Sequence, residues 1–160
     1  MKKLLSVLLI LSLCLTACAA FAEDLNEEEY VVLNSTGLKM WLMPGLVRVE
    51  LDEEEIGYGY IDCFENDEAE YYIDVFCNPD LTGTLQDYIN DIQSDPYFQN
   101  IFLGVQGDLF CLTYETEDEG ERAVTAVFNT GDGHYIEIIF TGFDEETVNK
   151  MIHSIKPDPA

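Results

Sequence analysis

Positive charge is what this chain has least of. Seven lysines and arginines stand against 32 aspartates and glutamates, a formal net charge of −25 at pH 7. Such a field repels nucleic acid and anionic membrane surfaces, and it favours solubility, cationic partners and loose association of divalent cations. Histidine is also scarce, with His134 and His153 alone, and neither is spaced with a cysteine as zinc ligands usually are. Ser35, Ser94 and Ser154, the serines beyond the first 22 residues, sit in no GxSxG elbow. No GK[ST] follows a glycine-rich loop and no CxxC is present, which excludes a P-loop and a thioredoxin-like redox site. What is abundant is apolar: 48% of the chain is hydrophobic, enough for a packed core and inconsistent with a disordered polyanion.

The N-terminus has the pattern of an export signal. Lys2 and Lys3 form a basic start and Leu4 to Leu15 an apolar run, shorter than the roughly 20 residues a membrane span needs. Two cleavage sites follow. Ala20-Phe21-Ala22 before Glu23 is a small-x-small boundary, giving a signal peptide of residues 1–22. Leu15-Thr16-Ala17-Cys18 resembles a bacterial lipobox, in which Cys18 would be acylated and become the mature N-terminus. Either route exports the protein to a secreted or cell-surface location, with a lipid at Cys18 as its one expected tie to the membrane. Beyond the leader, five basic residues remain: Lys39, Arg48, Arg122, Lys150 and Lys156. Cys63, Cys77 and Cys111 also remain. Three thiols allow at most one internal disulfide, and small buried hydrophobes are the better reading of them.

Read in order, residues 23–36 form an acidic lead-in, and one domain spans residues 37–157. Leu38 to Met43 alternates and stops at Pro44-Gly45; Leu46 to Leu51 alternates again. Ile56 to Phe64 and Tyr71 to Cys77 form an expected hairpin around an acidic tip. Thr84 starts a helix that Asp95-Pro96 ends. Strands at Ile101 to Val105 and Leu109 to Glu115 flank Gln106-Gly107-Asp108. Val124 to Asn129 and Ile136 to Phe140 flank Gly131-Asp132-Gly133, with Phe110, Leu112 and Tyr114 expected on the same face as Ile136, Ile138 and Phe140. Asp144 caps a closing helix whose buried stripe is Val148, Met151, Ile152 and Ile155. The fold class is therefore α+β, a mainly antiparallel sheet with two or more helices.

This order resembles the PsbP-like superfamily. The resemblance rests on a short first strand closing in Met43-Pro44-Gly45, a hairpin, a helix, and a late meander ending in a helix with Ser154-Ile155-Lys156-Pro157. It covers roughly Gly37 to Pro157 and includes no catalytic signature. It implies an α/β/α sandwich with helices on both sheet faces. It also implies a binding or assembly role, since the superfamily includes an extrinsic photosystem II protein and a nuclear-transport factor that binds a GTPase.

Carboxylates are the chemical resource in surplus. The runs Asp52 to Glu55, Glu65 to Glu70 and Glu115 to Glu121 fall at expected turns, where solvated loop charge is the ordinary outcome. Calcium accepts oxygen ligands from flexible loops, so a calcium-dependent surface protein is one alternative, although no run has the EF-hand pattern. The sharper constellation is the hairpin. One register places Asp62 opposite Asp74, bracketed by Tyr60, Phe64, Tyr72 and Phe76, an aromatic-walled pair of acids suited to a cationic group or a sugar. A one-residue slip would separate the two acids. A hydrolase using Cys111 and His134 is a third reading with less behind it. The expectation is a non-enzymatic, cofactor-free module that binds an unidentified protein or small molecule, cationic by preference.

Overall fold

The computed structural model describes residues 30–78, 85–118, 120–129 and 135–158. The expected leader with Cys18, Thr84 as an expected helix cap, the expected turn at Gly131-Asp132-Gly133, and His134 lie outside the described residues. The observed elements are β1 (Tyr30–Leu33), β2 (Leu38–Trp41), β3 (Val47–Arg48), α1 (Glu53–Gly57), β4 (Tyr60–Asn66), β5 (Tyr71–Asn78), α2 (Leu85–Ser94), β6 (Gln99–Gln106), β7 (Leu109–Asp118), β8 (Glu121–Asn129), β9 (Tyr135–Thr141), α3 (Glu145–Ser154) and β10 (Lys156–Pro157). A seven-stranded antiparallel sheet has the order β3-β4-β5-β9-β8-β7-β6, and a small sheet has the order β1-β2-β10. The architecture is mixed α+β and mainly sheet, as the alternating pattern indicates.

Both faces of the large sheet carry a packed layer. On one, Phe64, Ile73, Val75, Ala126, Phe128, Ile136, Ile138 and Phe140 pack against Val148, Met151 and Ile152 of α3 and against Leu33, Leu38 and Met40 of the small sheet. Each fully buried aliphatic chain of this kind contributes about 1.5–3 kcal/mol. On the other face, Ile89 and Ile92 of α2 pack on Leu112, Tyr114 and Val127. Tyr88 seals that second core by donating its hydroxyl to Glu137 at 3.1 Å, with the Tyr114 hydroxyl at 3.3 Å. Among the described residues no helix is long and apolar enough to cross a membrane.

Four local expectations are corrected. Residues 30–33 belong to the fold rather than to an acidic lead-in: β1 pairs with β2 along its whole length and Leu33 is fully buried. The acidic run after Leu51 is a helix start, because Asp52 accepts from the Glu54 and Glu55 amides while Glu55 reaches back to the Asp52 amide. That capping box satisfies amides that a strand would have paired elsewhere, so β4 begins at Tyr60 and not at Ile56. The strand expected over Leu46 to Leu51 shortens to the two residues of β3. Leu112 and Tyr114 face α2 rather than Ile136 and Phe140, because the register aligns Cys111 with Phe128 and Ile136. Both faces of β7 are apolar, so alternation alone could not say which face met which core.

The closing helix follows its sequence closely. Asp144 accepts from the Thr147 amide at 2.9 Å, and Val148, Met151 and Ile152 are buried. Ser154 donates to the Met151 carbonyl and accepts from the Trp41 amide at 2.8 Å, fastening α3 to β2. At the other end of the sheet, the chain turns from β9 into α3 at Gly142, whose φ is +87°. A Cβ there would overlap the Glu70 carbonyl oxygen, so this crossing of the β4–β5 turn excludes any side chain.

Candidate functional site

The hairpin of β4 and β5 does not bring its two acids together. A bulge at Ile61 shifts the register between Tyr60 and Asp62, so Tyr60 lies opposite Phe76, Asp62 opposite Val75, Cys63 opposite Asp74 and Phe64 opposite Ile73. One extra residue transfers everything after it to the other face. Tyr60, Tyr72, Asp74 and Phe76 remain together, while Asp62 and Phe64 turn into the main core.

Asp62 is only 1% exposed, and its cation comes from the same chain. Arg48 Nε lies 2.9 Å from Oδ1 and Arg48 Nη2 donates to Oδ2 at 3.1 Å, where the Asn34 amide also donates at 2.9 Å. Oδ1 has the guanidinium charge beside it without a well-directed hydrogen bond. Nη2 also donates to the Val32 carbonyl, and the guanidinium carbon sits 5.0 Å over the Phe64 ring. The aromatic-walled cation site expected for a ligand is thus an internal clamp joining β1, β3 and β4.

Asp74 sits on the opposite face. Burial raises its pKa above the usual carboxylate value, and the Cys63 thiol, donating to Oδ1 at 3.3 Å, offsets part of that rise. Burial, then the neighbouring Asp74, pushes the Cys63 thiol up to about 12. Tyr60 and Phe76 are in ring contact at 4.1 Å. The pair of acids as a unit is absent.

A more capacious feature lies at the other end of the sheet. A groove of about 840 Å³ runs between β6 and α3. Phe102 and Gly104 line its β6 side, and Val148, Asn149, Ile152 and His153 its α3 side, over a floor of Cys111, Thr113 and Val124. The groove opens because the sheet extends beyond α3: β6 adds an eight-residue strand that the single helix on this face does not reach across. Gly104 leaves room for the Phe102 ring to fold over it, since a Cβ there would lie 2.8 Å from Phe102 Cε1.

Polar groups close the two ends of the groove. At one, Arg122 Nη2 lies 2.6 Å from Glu115 Oε1 and Nε donates to Oε2 at 2.9 Å, a bidentate pair that Asn100 joins at 2.9 Å. These hydrogen bonds hold the Glu115 carboxyl below its usual range and raise the Arg122 guanidinium. At the other, the Gln106 side-chain amide donates to the Ile152 and Ile155 carbonyls at 2.8 and 2.6 Å. It gives the Ile152 carbonyl a second donor beside the Ile155 amide and also reaches the Ile155 carbonyl just past the end of α3.

The groove holds a thiol and an imidazole without the geometry of a catalytic pair. Burial pushes the Cys111 thiol up to about 12, so the nucleophilic thiolate is suppressed at neutral pH. His153 has its Nδ1 2.7 Å from the Asn149 carbonyl one helical turn away. Cys63, Cys77 and Cys111 are all free thiols. Among the described residues no three histidines, cysteines or acids are grouped to hold a metal ion.

Sequence reasoning passed over Arg48, the Glu115–Arg122 pair and the groove-lining Phe102 and Asn149. One signal was present: Gln99 to Gln106 carries no charged residue at all. In so acidic a chain, such a strand is either buried or kept clear.

No protein-family model matches this chain, and no curated protein matches it. Among solved structures it is similar to a protein of Bacteroides thetaiotaomicron VPI-5482, with 17% identity and a TM-score of 0.47. The match covers 81% of this chain and 48% of that one, so this chain spans about half the length of that neighbour.

Proposed function

We propose that this is an exported protein of the bacterial envelope that acts as a binding module, with the groove between β6 and α3 as its site. The observation that carries the reading is the groove itself: about 840 Å³, walled by Phe102, Val148 and Ile152 together with Asn149 and His153, closed at its ends by polar groups, and beside an edge strand with exposed apolar side chains. The raised Cys111 thiol supports binding over nucleophilic chemistry. The basic start, the short apolar run and the small residues before Glu23 support export, with Cys18 as the point of lipid attachment if the lipobox is used. The resemblance to PsbP-like proteins, whose characterised members bind and assemble, points the same way.

Site-specific photo-crosslinking in the native envelope tests this reading. A photoreactive residue at the exposed Asn149 should give a discrete adduct, and the same residue at the exposed Gln86 on α2 should give none. Equal labelling at both positions, no adduct at Asn149, or an esterase or peptidase activity abolished by Cys111→Ala would overturn it. Mass spectrometry of the native N-terminus separates an acylated Cys18 from a free Glu23.

A further inference from the structure

We propose that the outer edge of β6 receives an extended, basic segment of another protein as an eighth strand, with alternate side chains of that segment entering the groove beside α3. Among the described residues β6 ends the seven-stranded sheet and pairs on one side only, with β7. Gly107, with φ +59°, and Asp108 form the two-residue turn between them. In such a turn Gln106 and Leu109 exchange the closing hydrogen bond, and bonded and non-bonded pairs alternate from there. Leu103 and Val105 therefore direct their N–H and C=O groups away from β7, toward an incoming strand.

Natural sheet edges are usually blunted by charge, proline, a bulge or extreme shortness. Here the register irregularity between Gln99 and Phe102, with Asn100 at φ +49°, is confined to the N-terminal end. From Phe102 to Gln106 the edge has none of those devices. It also exposes three large apolar side chains: Phe102 at 66%, Leu103 at 41% and Val105 at 72%. Such an edge supplies backbone affinity, and a flanking pocket supplies side-chain selection, the two components of recognition by strand addition.

Charge selects the occupant. A second copy of the chain would bring another net −25, so self-pairing along this edge is opposed, whereas a lysine- or arginine-bearing strand is attracted. Of the chain's own nearby cations, Arg122 is already held by Glu115, and Lys150 lies 4.1 Å over the Trp41 ring.

This inference rests on the binding reading above, and its test separates the two. The probe is a synthetic peptide of alternating lysine and valine, compared with the same peptide N-methylated at alternate residues, which keeps the charge and removes the strand hydrogen bonds. Titrated into the purified protein, the parent peptide should slow hydrogen exchange at the Leu103 and Val105 amides. The N-methylated peptide and the Val105→Pro protein should each weaken binding by at least about tenfold, the scale of one or two lost hydrogen bonds. Because the Val105 amide faces outward, proline there removes no bond to β7, and an unchanged melting temperature checks this. If the proline variant does not fold, the comparison of the parent and N-methylated peptides on the unaltered protein carries the test.

Equal binding by the two peptides would mean that the acidic surface acts by charge alone, and would overturn strand addition. So would Leu103 and Val105 amides already protected in the isolated monomer, which assigns the edge to another part of this chain. A dimer that Val105→Pro dissociates would assign it to a second copy. In each case an adduct at position 149 would still uphold the groove as a binding site, and its absence would fail that reading separately.

Discussion

The two ends of the large sheet are finished in opposite ways. At the first, the edge strand β3 has two residues, carries Arg48, and leans on a bulged β4 whose buried Asp62 takes up that cation. At the last, β6 runs for eight residues without a charge and shows apolar side chains on both sheet faces. A short, charged and bulged edge resists further pairing, and a long neutral one invites it. The same chain thus has the means to close an edge and uses them at one end only. That difference, more than either end alone, directs attention to β6.

The largest expected effect is at the closed end. Asp62→Ala leaves the partly exposed Arg48 guanidinium with the Val32 carbonyl and removes the acceptor of the part-buried Asn34 amide bond, and should cost about 2 kcal/mol in chemical denaturation. A loss below about 1 kcal/mol would mean that water satisfies these groups and that the clamp is not what closes this edge. At the open end, Gln106→Ala removes two hydrogen bonds to the end of α3 and should cost about 1–2 kcal/mol by the same measurement. It should also broaden the amide resonances of Ile152 to Ile155.

The two ends should also diverge in pH. The folded pKa of Asp74 is raised, so the fold binds its proton more tightly than the unfolded chain. Its destabilising contribution is full at neutral pH and disappears as pH falls through the raised value to the ordinary one. Asp74→Asn should therefore raise the melting temperature at pH 7, with the advantage shrinking in acid. Glu115 has the opposite sign: its pKa is lowered, so its stabilisation is full above the ordinary value and is lost as pH falls through the lowered one. Glu115→Gln should lower the melting temperature slightly at pH 7 and leave it unchanged in strong acid. Smallest of all, Phe102→Ser should alter stability by less than about 0.5 kcal/mol, as at exposed sites generally. If it costs much more, the Phe102 ring belongs to the core and the edge is less open than its exposure indicates.

The elements whose pattern is one-sided were legible in the sequence. α3 has a single apolar stripe, a capping aspartate and acids in its first turn, and each is found where that pattern puts it. The β6–β7 turn was legible because a glycine-aspartate pair between apolar runs has few alternatives. Register was not legible. At Ile61 a bulge decides which face Asp62 occupies, and nothing in the alternation of Tyr60 to Phe64 marks the extra residue. β1 was hidden for another reason: the acids before Tyr30 gave Val31 to Leu33 the look of a lead-in, and their burial depends on β2, supplied from outside the segment. The groove was hidden because it is a property of reach, of how far one helix covers a sheet, and no local pattern encodes that.

Gly142 gives the groove a further property. The chain there passes so close to the Glu70 carbonyl that no side chain fits, and Phe143 next to it stacks on Tyr71 at 4.6 Å. The start of α3 is thereby riveted to the far hairpin, while its end is held by Gln106 on β6. One wall of the groove behaves as a beam fixed at both ends of the sheet. A single helix thus ties the β4–β5 turn at one end to the β6 edge at the other.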